Sequence, residues 1–191
     1  MNIVYGVSGE GLGHIFEAIE MIEILRREGH TVKVFTFGDR ACCHLAAFHP
    51  TRIAGFSLHV NSQKLSLALS LVTNLGCIPF YLKNWRRLIN EVRAFEPDVF
   101  VTSYEPFTTI ASHRLHKPLI SMDNQNELLY IKKPREASLL DFKLAQWITR
   151  IFTYKASYYS KKSQIKIDHG KTNVYFVSPH IQNEIRKITR S

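Results

Sequence analysis

The sequence is poor in cysteine, and its three cysteines are Cys42, Cys43 and Cys77. An odd number that includes an adjacent pair is a poor basis for a disulfide framework and has no metal-ligand spacing. The chain also lacks the run of roughly 18 apolar residues that a membrane-spanning helix needs. A signal peptide begins with a basic segment followed by a long apolar one. Residues 1–11 contain neither, so we do not expect a signal peptide here. We therefore expect a reduced, cytoplasmic protein without a metal site.

Acidic residues are scarce in the last third of the chain. The whole sequence has 25 Lys and Arg against 16 Asp and Glu, a formal charge of +9. Residues 1–129 carry 12 basic and 12 acidic side chains, whereas residues 130–191 carry 13 basic and 4 acidic ones. This indicates a neutral body with a basic contact surface for an anionic partner. The sequence has no RNP, zinc-finger or helix-turn-helix signature, so we expect that partner not to be a nucleic acid.

Hydrophobic residues make up 45% of the 191 residues, which is enough for the core of about one domain. Short apolar and β-branched runs predict strands at Asn2–Val7, Thr31–Phe37, Ser57–Val60, Asp98–Thr102, Pro118–Ser121 and Val174–Val177. Helical periodicity predicts helices at Ile15–Arg27, Gln63–Phe95 with breaks near Gly76 and Pro79, Pro106–Leu115 and Leu139–Ser160. The alternation predicts an α/β, Rossmann-like parallel sheet with helices on both faces. Ligands in such sheets bind at the carboxyl ends of the strands.

A glycine-rich loop, GVSGEGLGH at residues 6–14, joins the first predicted strand to the first helix. Gly9, Gly11 and Gly13 can adopt positive φ and allow a ligand to approach the backbone closely. The helix that follows begins with unsatisfied N–H groups, which suit a phosphate. The glycine spacing is G-x-G-x-G and not the dinucleotide fingerprint G-x-G-x-x-G, so an NAD(P) site is disfavoured.

His14 closes this loop at the first turn of the helix. The helix dipole there disfavours the protonated imidazolium. A neutral imidazole is what a general base requires. A helix-capping histidine without chemistry is the alternative, and the sequence leaves both readings open.

Residues 9–38, GEGLGHIFEAIEMIEILRREGHTVKVFTFG, resemble the opening of GT-B glycosyltransferases. The resemblance is strongest to the group of MurG and monogalactosyldiacylglycerol synthase, which is glycosyltransferase family 28-like. Glu17 departs from the pattern, because MurG has proline there. Four further segments match in order: Glu96-Pro97-Asp98-Val99, Ser103-Tyr104-Glu105-Pro106 with serine in place of an aspartate, the stretch KPLISMDNQ at 117–125, and FVSPHI at 176–181.

The resemblance implies that residues 1–178 form the acceptor-side, N-terminal domain of a GT-B fold and that 179–191 begin the interdomain linker. It implies an inverting transfer from a nucleotide-sugar, a UDP-sugar above all, to a membrane- or envelope-linked acceptor, with no metal or other cofactor. The donor-binding half would be a partner subunit or a missing part of the chain. A non-catalytic membrane-docking subunit, and another GT-B activity such as a nucleotide-sugar epimerase or hydrolase, remain alternatives. A homo-oligomer also stays open.

The resemblance also suggests roles for single residues. His14 would be the catalytic base, and Gly9, Gly11 and Gly13 would admit a diphosphate or the acceptor. Glu105 would bind the acceptor or orient His14, or would be an ordinary glutamate at a helix N-terminus. Three polar residues after a strand would bind acceptor hydroxyls or cap the loop; they are Asp123, Asn124 and Gln125.

A lipid-linked acceptor implies a membrane-facing patch and a peripheral location on the inner face of the cell membrane. Residues 67–88 join an apolar stretch to aromatic and basic side chains, a combination typical of a headgroup interface. The expected contacts are Phe80, Tyr81, Trp85, Arg86 and Arg87. The alternative is a core helix with a solvated basic end. Lysines near the C-terminus would add attraction to anionic lipid; they are Lys155, Lys161, Lys162, Lys166 and Lys171.

Overall fold

The computed structural model describes residues 1–55, 60–61, 64–65, 79, 83–122, 125–129, 131–134, 138–162 and 174–177. The strands in this part of the chain are β1 (Asn2–Val7), β2 (Thr31–Thr36), β3 (Thr51–Arg52), β4 (Val60–Asn61), β5 (Lys64–Leu65), β6 (Val99–Ser103), β7 (Leu119–Met122), β8 (Tyr158–Lys162) and β9 (Val174–Val177). The α-helices are α1 (Leu12–Arg27), α2 (Asp39–His44), α3 (residues 83–94), α4 (Pro106–Arg114) and α5 (Leu139–Phe152). Short 3-10 helices lie at Ala46–Phe48 and Gln125–Leu129.

Seven strands form one sheet in the order β3-β2-β1-β6-β7-β8-β9, and every neighbouring pair is parallel. β4 and β5 form a separate antiparallel hairpin. The order runs in one direction from β1 to β3 and in the other from β6 to β9. The sheet therefore has its topological switch point between β1 and β6, where doubly wound folds bind ligands.

Helices cover both faces of the sheet, and the buried side chains of β1 alternate between two core clusters, one on each face. Ile3, Tyr5 and Val7 belong to a core cluster with side chains of α1 and α2. Val4 belongs to a second cluster with side chains of α3 and α4. Strands that are buried on both faces read as continuous apolar runs, as β1 and β6 do. The predicted α/β architecture is confirmed.

One predicted helix is wrong at its C-terminal end. The aromatic residues between Leu139 and Ser160 continue the helical spacing, but α5 ends at Phe152 and the chain enters β8 at Tyr158. Between them Lys155 adopts a left-handed backbone with φ of 47°. The backbone N–H of Ser157 then donates to the Leu119 carbonyl at 2.8 Å, which starts the pairing of β8 with β7.

The segment between β2 and β6 also differs from its prediction. The third strand of the main sheet is Thr51–Arg52, earlier than the expected Ser57–Val60, of which only Val60 is described. The helix expected from Gln63 is wrong at Lys64–Leu65, which pair in the hairpin, and correct at residues 83–94. The predicted domain boundary at 178 lies outside the described residues.

Candidate active site

His14 lies at the switch point of the sheet, in the first turn of α1. Its Nδ1 is 3.0 Å from the Oγ of Ser103, the last residue of β6. Its Nε2 is 2.8 Å from the side-chain nitrogen of Gln125, which follows the end of β7. The carboxyl ends of three neighbouring strands thus converge on one partly buried imidazole. Both ring nitrogens have a partner supplied by a different strand.

These two contacts favour one position for the proton on the ring. An amide nitrogen can only donate, so Nε2 of His14 accepts from Gln125 and holds its lone pair there. A neutral imidazole has one N–H, and it is then on Nδ1, which donates to Ser103 Oγ. The arrangement presents a basic nitrogen toward the loop end of the sheet, where a ligand would bind.

Tyr104 covers the imidazole. The two rings are nearly parallel at 10°, and their centroids are 6.1 Å apart. The Tyr104 backbone is left-handed with φ of 57°, a conformation that costs a non-glycine residue about 1 kcal/mol or more. Its hydroxyl is 3.2 Å from Thr149 Oγ1 and its ring packs 4.8 Å from that of Phe152, both of α5. The contacts with α5 and His14 hold Tyr104 in this conformation.

The glycine loop leaves the start of α1 open. Gly11 is the N-cap with φ of 85°, and the helix has neither a side-chain cap nor an acidic residue in its first turn. A methyl group at Gly13 would meet no atom within 4 Å, so the space beside it is open. Gly9 has another role, because a methyl group there would lie 2.1 Å from the Phe37 carbonyl oxygen. Gly9 therefore allows the loop to pack on the end of β2, and Gly11 and Gly13 border the accessible space.

Glu105 is fully buried and caps α4. Its carboxylate accepts hydrogen bonds from the backbone N–H groups of Phe107 and Thr108 and from the Thr108 hydroxyl. Burial raises the Glu105 pKa to about 7, although these three hydrogen bonds lower it. Gly6 of β1 packs on it, since a methyl group there would lie 2.7 Å from Oε2. Of the roles that the sequence left open, these contacts support the helix cap.

A family model described as glycosyl transferase family 1 matches residues 1–190. The chain belongs to this glycosyltransferase family. No curated protein matches the sequence.

Solved structures of glycosyltransferases share the fold at low sequence identity. MurG of Acinetobacter baumannii matches with a TM-score of 0.55 at 13% identity, over 97% of this chain and 48% of its own. SsfS6 of Streptomyces sp. SF2575 matches with a TM-score of 0.56 at 13% identity, over 96% and 56%. The calicheamicin glycosyltransferase CalG4 gives 0.54 at 14% identity, over 95% and 54%. The predicted GT-B resemblance is confirmed, and this chain spans about half the length of these structures.

The other predicted site residues are only partly described. Asp123, Asn124, Phe80 and Tyr81 lie outside the described residues. Trp85 is partly buried, and its ring packs edge-on against Phe107 at 5.6 Å. Arg86 and Arg87 are exposed. This part of α3 resembles the core helix with a solvated basic end that the sequence left as an alternative.

Two residues of the candidate site do not stand out as site residues in the sequence. Ser103 was noted only as a replacement for aspartate, and Tyr104 only as part of a motif. Their position directly after a predicted strand was an available signal, because that edge of a parallel sheet binds ligands.

Among the residues that the structure describes, no group of three His, Cys, Asp or Glu side chains could hold a metal ion.

Proposed function

We propose that this chain is the acceptor-binding half of an inverting glycosyltransferase. It would work with a donor-binding half to move a sugar from a nucleotide-sugar, with UDP-sugars as the first donors to test, to a hydroxyl of a membrane- or envelope-linked acceptor. The observation that carries the proposal is the His14 imidazole at the switch point of the sheet, with its Nδ1 3.0 Å from Ser103 Oγ and its Nε2 2.8 Å from the Gln125 side-chain nitrogen. A base in this state matches what the reaction needs.

The chemistry is a single displacement. His14 Nε2 takes the proton of the acceptor hydroxyl, and the oxygen forms a bond to the anomeric carbon of the donor. The bond from that carbon to the diphosphate breaks, and the nucleoside diphosphate leaves with the electron pair. One displacement inverts the anomeric configuration. The uncapped N-terminus of α1 beside Gly13 would stabilise negative charge on a phosphate of the substrates.

The test is a transfer assay with the donor-binding half supplied. We would combine the chain with the donor-binding half from the same genome, add UDP-sugars labelled in the sugar, and provide lipid extract of the native membranes as acceptor. We expect labelled lipid and release of UDP only when both halves are present. NMR of the product should show an anomeric configuration opposite to that of the donor.

The same assay separates the alternatives. Release of free sugar without lipid product would indicate a hydrolase. Equal transfer by the donor-binding half alone would make this chain a docking subunit. A product that retains the donor configuration would contradict the single displacement.

We further propose that the chain docks on an anionic bilayer through α5, at a surface different from the predicted one. Leu140, Trp147 and Ile151 are 69%, 60% and 39% exposed. Their spacing of seven and four residues places them on one helix face. Lys143 and Arg150 are exposed three or four residues from members of this stripe. An apolar stripe with tryptophan beside cations suits the headgroup region of an anionic membrane.

Vesicle flotation tests this docking. We expect the protein to float with phosphatidylglycerol vesicles, and Leu140→Ser/Trp147→Ser to lower binding about tenfold or more because apolar area is lost. Lys143→Glu/Arg150→Glu should weaken binding at low salt. Ile110→Ser is the matched control, since Ile110 of α4 is also an exposed apolar residue, at 48%. Equal binding by the α5 variants and the control would contradict the proposal, as would loss of vesicle binding when the donor-binding half covers α5.

In the described part of the chain, no helix is long and apolar enough to cross a membrane.

A further inference from the structure

We infer that Gln125 is a positioning residue that fixes the proton of His14 on Nδ1 and occupies the Nε2 lone pair until an acceptor hydroxyl replaces it. This inference rests on the proposed role of His14 as the base. It goes beyond that role because it assigns the resting state of the base and the residue that keeps it there.

The hydrogen bonds at the two ends of the imidazole depend on each other. With the Gln125 amide nitrogen 2.8 Å from Nε2, that ring nitrogen must accept. The ring proton is then confined to Nδ1, 3.0 Å from Ser103 Oγ. Ser103 alone could not fix it, because a hydroxyl can donate to Nδ1 as well as accept from it. The donor-only amide nitrogen therefore selects the tautomer.

The other end of the same amide is unsatisfied. Gln125 Oε1 is buried and has no hydrogen-bond partner among the residues that the structure describes. An orphaned buried acceptor is costly, so such a group commonly has a functional role or a missing partner. Oε1 belongs to the same amide as the nitrogen that contacts the base. A sugar hydroxyl that enters here can donate to Oε1, which would recover the missing hydrogen bond.

Gln125 is held from outside the catalytic loop. It begins the 3-10 helix Gln125–Leu129. The Gln146 side chain of α5 donates to the Leu128 carbonyl at 2.8 Å and fixes this short helix. The amide is thus anchored through its backbone, and its side chain is the part that can move. A rotation of the side chain would release Nε2 without disturbing the ring, which Ser103 and Tyr104 continue to hold.

The exchange of partners leaves the proton balance intact. The acceptor hydroxyl first replaces the Gln125 N–H as the donor to Nε2. Its proton then passes to Nε2 as the oxygen bonds to the anomeric carbon. The resulting imidazolium keeps its Nδ1 proton on Ser103, and the displaced amide can bind a neighbouring hydroxyl of the acceptor. Gln125 thus keeps water from the lone pair in the resting enzyme and helps to recognise a polyhydroxylated acceptor.

The test uses the chain alone and needs no sugar transfer. Long-range ¹⁵N–¹H NMR of histidine-labelled protein reports which ring nitrogen carries the proton. We expect His14 to be the Nδ1–H tautomer in the wild-type protein and to move toward the Nε2–H tautomer in Gln125→Met, which has a similar size but donates no hydrogen bond. His113 is an internal control, because its Nε2 lies 2.6 Å from the Tyr154 carbonyl and must donate; its signals should not change.

Carbethoxylation by diethyl pyrocarbonate gives an independent readout of the lone pair. We expect His14 to react on the order of three- to tenfold faster in Gln125→Met and Gln125→Ala than in the wild type, because the molecules that keep the proton on Nδ1 lose the one hydrogen bond that occupies the Nε2 lone pair. Peptide mapping would identify the modified residue. A wild-type His14 that is the Nε2–H tautomer, or variants with unchanged tautomer and unchanged reaction rate, would overturn the inference.

These outcomes are separate from those of the transfer assay. A chain with the expected tautomer that supports no transfer would refute the proposed function and leave the hydrogen-bond assignment intact. A chain that supports transfer while Gln125→Met changes neither NMR nor reactivity would refute the role of Gln125 alone.

Discussion

Replacing His14 with alanine is expected to lower kcat of the assembled two-half enzyme by about 10² to 10⁴, the usual contribution of a general base. The substitution removes the ring that contacts both Ser103 and Gln125. The acceptor hydroxyl would then keep its proton while its oxygen attacks, which raises the barrier. KM for the donor should change little, because the proposed function assigns donor binding to the other half. The measurement is steady-state transfer from a labelled UDP-sugar at saturating acceptor.

Two further variants make this test specific. His14→Gly leaves a space in which added imidazole should restore part of the activity, whereas a loss caused by misfolding would not respond. His113→Ala is the matched control, because His113 lies near the C-terminal end of α4 and contacts Tyr154 instead of Ser103 and Gln125. Near-normal kcat in His14→Ala would reduce His14 to a structural residue of the loop.

Glu105 is expected to make the protein less stable as the pH rises toward 7. Its pKa is about 7 in the folded protein because of burial, against an ordinary value of 4.5. Between these two values the folded state holds a proton that the unfolded state has lost. The free energy of unfolding therefore falls as pH rises, and the stabilisation is fully present below pH 4.5 and lost through pH 7. The size is on the order of 3 kcal/mol.

The measurement is urea unfolding at several pH values between about 3 and 8, a range that covers the loss of Glu105 stabilisation on the neutral side and of Glu91 stabilisation on the acid side. Glu105→Gln keeps the size of the side chain and one acceptor oxygen for the cap, and it should remove this pH dependence. Glu91 gives a control of opposite sign: partial burial raises its pKa, but hydrogen bonds from Thr51 and Lys33 lower it overall. Glu91→Gln should therefore remove stability that is present at neutral pH and lost in acid. Parallel curves for the wild type and Glu105→Gln would show that Glu105 titrates normally.

The sequence predicted those helices and strands whose local patterns are clear. β1, α1 and β2 were predicted within a few residues, because an apolar run, a helical repeat and a β-branched run follow each other with clear breaks. The α5–β8 boundary was missed because its aromatic residues fit both helical spacing and β preference. The end of α5 is set instead by the pairing of β8 with β7, in which Ser157 contacts Leu119, 38 residues earlier in the sequence.

The sequence predicted several residues of the site but not which of them contact each other. His14 is a sequence candidate because of its place in the first helical turn after the glycine-rich loop, and Glu105 and Gln125 are candidates because they follow strand ends. Which of them touch depends on the register of β1, β6 and β7, and local sequence does not encode it. Glu105 was one candidate to orient His14, but the contacts described here use Ser103 and Gln125. The left-handed backbone of Tyr104 leaves no sequence mark, since such conformations favour glycine.

The contacts around His14 span long distances in sequence, 89 residues to Ser103 and 111 to Gln125. Parallel pairing of this kind forms late and slowly, because the loop entropy is lost before the contacts compensate for it. A growing chain therefore cannot assemble the imidazole site until β6 and β7 have joined β1. His14, the proposed base, therefore acquires its contacts with Ser103 and Gln125 only when the centre of the sheet has formed.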